Sequence, residues 1–437
     1  MRQAPADKFS AGSSLGETRK LRDKYKVLLM VWLLQFVNYL DRINLSIAAP
    51  TMMKELSLKP SAFGYVLAAF TFGYAIAQIP GGYLADRFGA KRLLIVSPIL
   101  WSAFTGLTGL AASLVALIVV RVMFGMAEGL SNGPSFKFIG DYFPAEQRSA
   151  ANGAYLSALA LGPAFVAPIA VWFLGRVGWQ GMFFWFTIPG LLMALFIWLV
   201  IPKTSPNQSR AHANVEADFA AAANTAQADS ATNLGGVIKR PVSWLIFFAY
   251  MAFNVAFWGF LGWMPSYLSM ARHIDLKSLG FAASVPYMAG TVGLIVFGWL
   301  GSRVFYRYRC LMVATLYLLA GISLYVTYNV STPDQSVLGL SAAALFLYGG
   351  FGPVWSLVLD LTPQSARGSF AGFVNCGGQI GGFFAPIVVG YIVGETASFT
   401  GGFLFMIGAL VIGALCFIAL QTANRDWATR KLSPGAA

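Results

Sequence analysis

The chain has 437 residues, of which 57% are hydrophobic and only 11% charged, and its net charge is +13. A soluble domain carries about 25% charged residues, so the polar shell that a water-soluble fold of this length needs is missing. The basic residues do not gather on one face, which argues against a nucleic-acid partner. Two histidines and three cysteines without ligand spacing argue against a metal site or a disulfide framework.

In chain order, residues 1–26 are polar and basic and read as an N-terminal tail. They lead into an apolar run over 27–49 with no small-residue cleavage site after it, read as an uncleaved first span. Further runs of membrane-crossing length lie over 61–83, 93–112, 114–140, 149–174 and 180–201. Residues 202–241 are rich in Ala, Asn, Ser and Gln, a composition that buries too little surface to fold, so a flexible linker is expected there. Six more spans follow over 242–270, 278–300, 310–328, 336–361, 368–393 and 400–421, then a tail over 422–437. The expected fold class is an all-α membrane protein of twelve transmembrane helices, with six-helix bundles over 27–201 and 242–421.

With the N-terminus inside, 22 of the 30 Lys and Arg residues fall in cytoplasmic segments and 5 in external loops. Arg42, Arg121 and Lys137 fall within spans. This bias predicts cytoplasmic N- and C-termini. The two halves also repeat. Gly64, Gly82 and Arg87 recur 216 residues later as Gly280, Gly298 and Arg303, and Asp141, Pro144, Arg148 and Gly153 recur 219 later as Asp360, Pro363, Arg367 and Gly372. Parallel repeats of this kind place a substrate site between the halves near the bilayer midplane.

The loop after the second span reads Gly82-x-x-x-Asp86-Arg87-x-Gly89-x-Lys91-Arg92, and the first span contains Asn38-Tyr39-Leu40-Asp41-Arg42. The loop resembles the signature of the major facilitator superfamily. With Arg121, Glu128 and Asn375, the chain resembles that superfamily's anion:cation symporter family, over nearly its whole length outside the tail and linker. The resemblance implies proton-coupled uptake of an organic anion, as in bacterial galactonate, glucarate and hexuronate carriers and animal sialic acid carriers. It also implies a gating role for Asp86, Arg87, Asp141, Arg303 and Asp360, with Arg87 pairing Asp141 and Arg303 pairing Asp360. The alternative is that the basic loop only anchors the topology.

A charge near the bilayer centre costs at least about 2.5–3.5 kcal/mol on insertion scales, so it has a partner or a task. At about 1.5 Å per residue, Asp41 and Arg42 lie roughly 10–12 Å below the outer end of their span. Arg121 enters the fourth span at a similar depth, so the three can share one layer. Gln35, Asn38 and Arg42 follow helical spacing on one face, which Asp41 adjoins. Arg121 and Glu128 are two turns apart on another face, which Ser131, Asn132 and Ser135 continue. Arg42, a planar fork for a carboxylate, is the expected substrate anchor, and Asp41 and Glu128 the expected proton sites. Arg121 would stabilise either carboxylate in the unloaded state; a fixed salt-bridge network is the competing reading. Lys137 either faces the cavity or snorkels to the inner surface. Tyr74 with Gln78, Asn375 with Gln379, Trp355 with Ser356, and Asn254 with Trp258 complete the cavity candidates. The resemblance implies substrate contact for Tyr74 and Asn375.

Two positions depart from the sugar-acid members of the family. Leu159 stands where they tend to carry a glutamine, and Gly349-Gly350-Phe351-Gly352-Pro353-Val354 lacks a hydroxyl side chain. A site with fewer hydrogen-bonding groups suits a substrate with fewer hydroxyls. Beside a sugar acid, a small dicarboxylate, a sulfonate or an aromatic acid therefore stays open. The expected partners are a small organic anion and the lipid bilayer, with protons as coupling ion and no cofactor. The chain is expected to act as a monomer in a bacterial inner membrane. A drug/proton antiporter of the same fold is a rival reading, although Ala164, Phe165, Val166 and Ala167 stand where its glycines would follow Gly162-Pro163. A nutrient sensor is a weaker rival, since no signalling domain is attached. An enzyme is not expected, because no nucleophile–base set is present.

Overall fold

The computed structural model describes residues 8–143, 145–201, 237–361 and 367–431, with the side chains of 8–22, 424–431 and several others inside helices, Asp86 among them, outside that description. The first half holds α1 (Lys8–Glu55), α2 (Pro60–Phe88), α3 (Ala90–Thr108) and α4 (Leu114–Tyr142). The stretch Ala145–Val200 breaks at Gly178, whose φ of 69° is open to glycine, and so forms α5 (145–177) and α6 (179–200). The second half holds α7 (Pro241–Ser266) with a π turn over Tyr267–Ala271, α8 (Leu276–Arg303), α9 (Arg309–Asn329), α10 (Pro333–Asp360), α11 (Arg367–Thr396) and α12 (Thr400–Lys431).

Local chemistry marks the helix starts. Ser113 accepts the Ala116 N–H at 3.2 Å and Thr332 accepts that of Gln335 at 3.3 Å, the side-chain caps that free helical N–H groups need. Pro60, Pro241 and Pro333 stand at first positions, where a missing N–H costs nothing. Gly89, at φ 88°, turns α2 into α3. Nine helical stretches among the described residues are long and apolar enough to cross a membrane, one of them holding both α5 and α6; α1 and α3 complete the twelve. Large apolar side chains cover the outside, with Phe281 75% and Val115 70% exposed, a surface suited to lipid rather than water.

Two expectations change. Residues 8–26 are not a separate tail but run as helix into α1, because a stretch with Lys, Arg, Glu and Leu forms helix readily and an apolar run marks only the crossing part. For the same reason α12 continues past 421 to Lys431. Most of the expected linker, 202–236, lies outside the described residues, and Arg240 N–H bonds Val237 C=O in a turn that enters α7.

Glycine brings the helices together, as expected where lipid gives no hydrophobic drive for association. A Cβ on Gly73 of α2 or Gly125 of α4 would overlap the opposing backbone, and Gly293 of α8 meets Leu345 of α10 in the same way. The halves touch through α2 with α11, α5 with α8, and α1 with α7. At the end away from the chain termini this seam is tight. A Cβ on Gly64 would stand 2.7 Å from the Pro386 carbonyl oxygen, one on Gly390 2.6 Å from that of Pro60, and one on Gly280 2.9 Å from Pro168 Cα. At the terminal end, Gly153 of α5 and Gly372 of α11 face nothing within 4 Å. The space between the halves is therefore closed at the far end.

The signature loop follows its motif only in part. Lys91 Nζ donates to the carbonyls of Trp198, at 2.9 Å, and Ile201, capping the C-terminus of α6. Asp360 is paired with Arg309, not with Arg303. Arg309 opens α9 beside the C-terminus of α10, and its Nε also donates to Gly301 C=O at 2.9 Å, whereas Arg303 is exposed at the end of α8. The Arg87 guanidinium lies 5.5 Å over Phe88, and the ion pairs among the described residues do not include Arg87 with Asp141.

Candidate functional site

The site is built round Arg42 and Glu128. Arg42 Nε donates to Glu128 Oε2 at 2.8 Å, with side chains 5% and 0% exposed. An uncompensated buried charge is costly, so α1 and α4 are joined here by necessity. The guanidinium sits in an aromatic cage, 4.6 Å from the Tyr39 ring centre, 4.8 Å from Phe70, 4.7 Å from Tyr74 and 6.0 Å from Trp258. Such faces attract a cation while leaving its N–H fork unused. Arg42 and Arg121 both line a cavity of about 380 Å³ between the halves, whose other walls include Leu67, Phe70, Trp258, Leu261 and Pro386.

Further polar contacts join neighbouring helices. The Tyr155 hydroxyl of α5 bonds Gln35 Oε1 at 2.8 Å and Asn132 Oδ1 at 3.3 Å. Across the seam, Asn375 Nδ2 of α11 donates to Gln78 Oε1 of α2 at 2.8 Å. Gln379 Oε1 is buried without a protein partner. Trp355 stands edge-on to Tyr250 with ring centres 5.3 Å apart. Thus α1, α2, α4 and α7 each bring a polar or aromatic group to the cavity, and Pro386 of α11 stands in its wall.

The expected residues divide between two places. Arg42, Glu128, Tyr74 and Asn38 lie together, whereas Gln35 is bonded to Tyr155 and Asn375 to Gln78. Asp41 is not among the groups round the cage: Glu128, Arg121 and Trp101 are its neighbours, with Asn44 Nδ2 donating to its Oδ1 at 3.3 Å. Arg121, 2% exposed, lies over the rings of Phe124 at 5.0 Å and Phe183 at 5.3 Å. Glu128 is therefore bonded to Arg42 rather than to Arg121. Lys137 is half-buried towards the terminal end of α4, and Leu159 is buried. Asn254 turns inward on its own helix, donating to Tyr250 C=O at 2.8 Å. Sequence reasoning missed Phe70, Tyr155 and Trp101. Phe70 was legible, four residues before Tyr74 on the same helical face. Among the described residues no group of three His, Cys, Asp or Glu gathers to hold a metal.

Residues 31–386 match the family model described as Major Facilitator Superfamily. This chain belongs to the major facilitator superfamily. Among curated relatives, the "Probable sulfoacetate transporter SauU" of Cupriavidus necator is 32% identical over 411 residues, covering 92% of this chain and 95% of that protein. The "Hexuronate transporter" of Bacillus subtilis is 30% identical over 91% of this chain and 94% of that one. The "Probable galactarate/D-glucarate transporter GudP" of Escherichia coli is 31% identical over 92% and 94%. Among solved structures, a bacterial homologue of the lysosomal transporter Spinster matches with a TM-score of 0.72 at 18% identity, over 94% of this chain and 98% of that one. The D-xylose–proton symporter matches with 0.70 at 16% identity, over 91% and 97%; these two likenesses concern the fold alone. As a superfamily member the protein is a multi-pass membrane transporter, not an enzyme.

Proposed function

We propose that this transporter imports a small organic anion together with protons, alternating between a state open at the terminal end and one open at the far end. The observation that carries this reading is the 2.8 Å Arg42–Glu128 pair in the aromatic cage. Arg42 has one partner at Nε, and its terminal fork has the shape a carboxylate or sulfonate requires. While Glu128 is ionised, substrate and Glu128 compete for one cation. A proton on Glu128 removes that competition, so anion and proton enter together. With Asp41 and Arg121, the buried groups balance two charges against two, and an added anion needs an added proton to stay balanced.

The charge bias of the loops supports cytoplasmic termini in a bacterial inner membrane, which makes the terminal end the inner one. Asn375, Gln78 and Gln379 offer partners for hydroxyls and favour a sugar acid, in line with the names of two of the relatives. The apolar walls at Leu67, Phe70 and Leu261 favour the second reading, a small sulfonate such as sulfoacetate. Asp86, Arg87, Asp141, Arg303 and Asp360 remain proposed gating residues, the last through Arg309.

Reconstituted into vesicles, the protein should accumulate labelled D-glucarate or sulfoacetate when the proton gradient points inward, and a protonophore should collapse that accumulation. Asp41→Asn and Glu128→Gln should each lose gradient-driven accumulation by at least about tenfold, as expected when a coupled protonation step disappears, while keeping counterflow exchange. Full accumulation by both variants would overturn the proton assignment. Movement only of lipophilic cations would overturn the anion assignment.

A further inference from the structure

Residues next to each other on a helix point about 100° apart, so Asp41 faces away from the cavity that Arg42 lines. It turns into the first bundle, towards Trp101 of α3 and Arg121 of α4. Five side chains there carry buried polar atoms without a protein partner: Asp41 Oδ2, Asn44 Oδ1, Trp101 Nε1, Ser102 Oγ, and Arg121 Nε and Nη2. None of these residues is more than 2% exposed. The Trp101 indole N–H approaches the Asp41 carboxylate without meeting hydrogen-bond geometry.

Donors and acceptors are both present, yet they do not satisfy one another. Buried groups in that condition are bridged by internal water, which needs two to four polar partners per molecule. Gly190 of α6 lets the Trp101 and Ser102 polar groups pack against its backbone. A Cβ there would stand 2.8 Å from Trp101 Nε1 and overlap the Ser102 hydroxyl. A glycine facing two polar groups differs from the glycines at the helix crossings, which face backbone.

We propose that this cluster is an internal hydrated pocket in which Trp101 and Ser102 are positioning residues for Asp41. Resting on the proposed proton coupling, they set the affinity with which Asp41 holds its proton and touch no substrate. The groups facing Asp41 support such a role. From α4 come Arg121 and the charge of Glu128, from α3 Trp101, and from α1 Asn44. The α6 helix brings Phe183 and Gly190 and no titratable group. With fixed charges from α4 alone, the neutral donors of α3 are the adjustable part of the surroundings.

Trp101→Phe keeps the ring and removes only the N–H; Ser102→Ala removes only the hydroxyl. Both would be reconstituted beside wild type and Asp41→Asn, with labelled D-glucarate and sulfoacetate as probes. Gradient-driven uptake would be followed across pH, and counterflow at one pH. A hydrogen bond to a charged group is worth about 1.5–3 kcal/mol, and 1.36 kcal/mol is one pH unit. The Trp101→Phe profile should therefore move by about one pH unit with counterflow kept, and that of Ser102→Ala by a smaller step in the same direction. A packing role alone would lower uptake at every pH without moving the profile. Profiles of both variants that superimpose on wild type, while Asp41→Asn loses accumulation, overturn the pocket alone. Asp41→Asn behaving as wild type, or no uptake of either probe by wild type, overturns the coupling itself and this inference with it. Should Trp101→Phe not fold, the Ser102→Ala profile decides the matter.

Discussion

Arg42→Ala will reduce uptake to background and lower thermal stability, and adding Glu128→Gln will restore the stability without restoring the uptake. The single variant leaves the Glu128 carboxylate buried, 0% exposed, with its 2.8 Å partner gone. Removing one member of a buried pair costs about 3–5 kcal/mol, whereas replacing both with neutral groups is often close to neutral. The melting temperature in detergent should therefore fall in Arg42→Ala and recover in the double variant. Uptake obeys a different rule. A fork of two charge-assisted hydrogen bonds to the substrate acid, at about 1.5–3 kcal/mol each, amounts to at least a hundredfold in affinity, and no neutral residue at position 128 replaces it. Arg42→Lys should keep much of the stability, because a point charge still meets Glu128, but should lose at least about tenfold in uptake, because an ammonium lacks the planar fork. If the double variant recovers uptake, Arg42 is a structural tie between α1 and α4 and not the anion anchor.

The sequence reveals depth along a helix better than direction around it. Asp41, Arg42 and Arg121 stand at similar depth, and that was legible from span boundaries and the rise per residue. Their separation was not, because facing depends on which helices pack beside α1. The structure puts Tyr74 and Trp258 beside Arg42, and Trp101 and Arg121 beside Asp41. Arg309 shows a similar limit. The internal repeat singles out Arg303 as the counterpart of Arg87, yet Asp360 takes the arginine that opens the next helix, since an ion pair forms by proximity at the helix ends and not by register in the repeat. The twelve spans were legible because apolar runs of crossing length leave few alternatives. The helical extensions at Lys8 and Lys431 were not, because hydropathy is silent on helix that lies outside lipid.

The tight seam at the far end should be the point most sensitive to added volume. Gly64→Leu is expected to reduce uptake by at least about tenfold while the protein still folds. A Cβ at Gly64 would stand 2.7 Å from the Pro386 carbonyl oxygen and 3.2 Å from Ile387 Cα. Both obstacles are backbone of the opposite half, so no side chain can swing aside. Within one bundle such an overlap would be a folding defect. Here it lies between halves that the proposed alternation moves apart, so the strain is relieved by opening the far end. Overpacking costs about 1–3 kcal/mol, enough to shift the balance of the two states by roughly 5–150-fold. Access can be measured directly. Leu67 lines the cavity, so a Leu67→Cys probe, placed after replacing Cys310, Cys376 and Cys416, should react faster with an impermeant maleimide from the far side when Gly64→Leu is present. Gly390→Leu, which meets the Pro60 carbonyl oxygen from the other half, should act in the same direction. Unchanged labelling together with unchanged uptake would mean that this seam does not need to close for transport. Faster labelling with lost uptake would identify α2 and α11 as the far-end gate, worked by the fit of two bare backbones and by no charge at all.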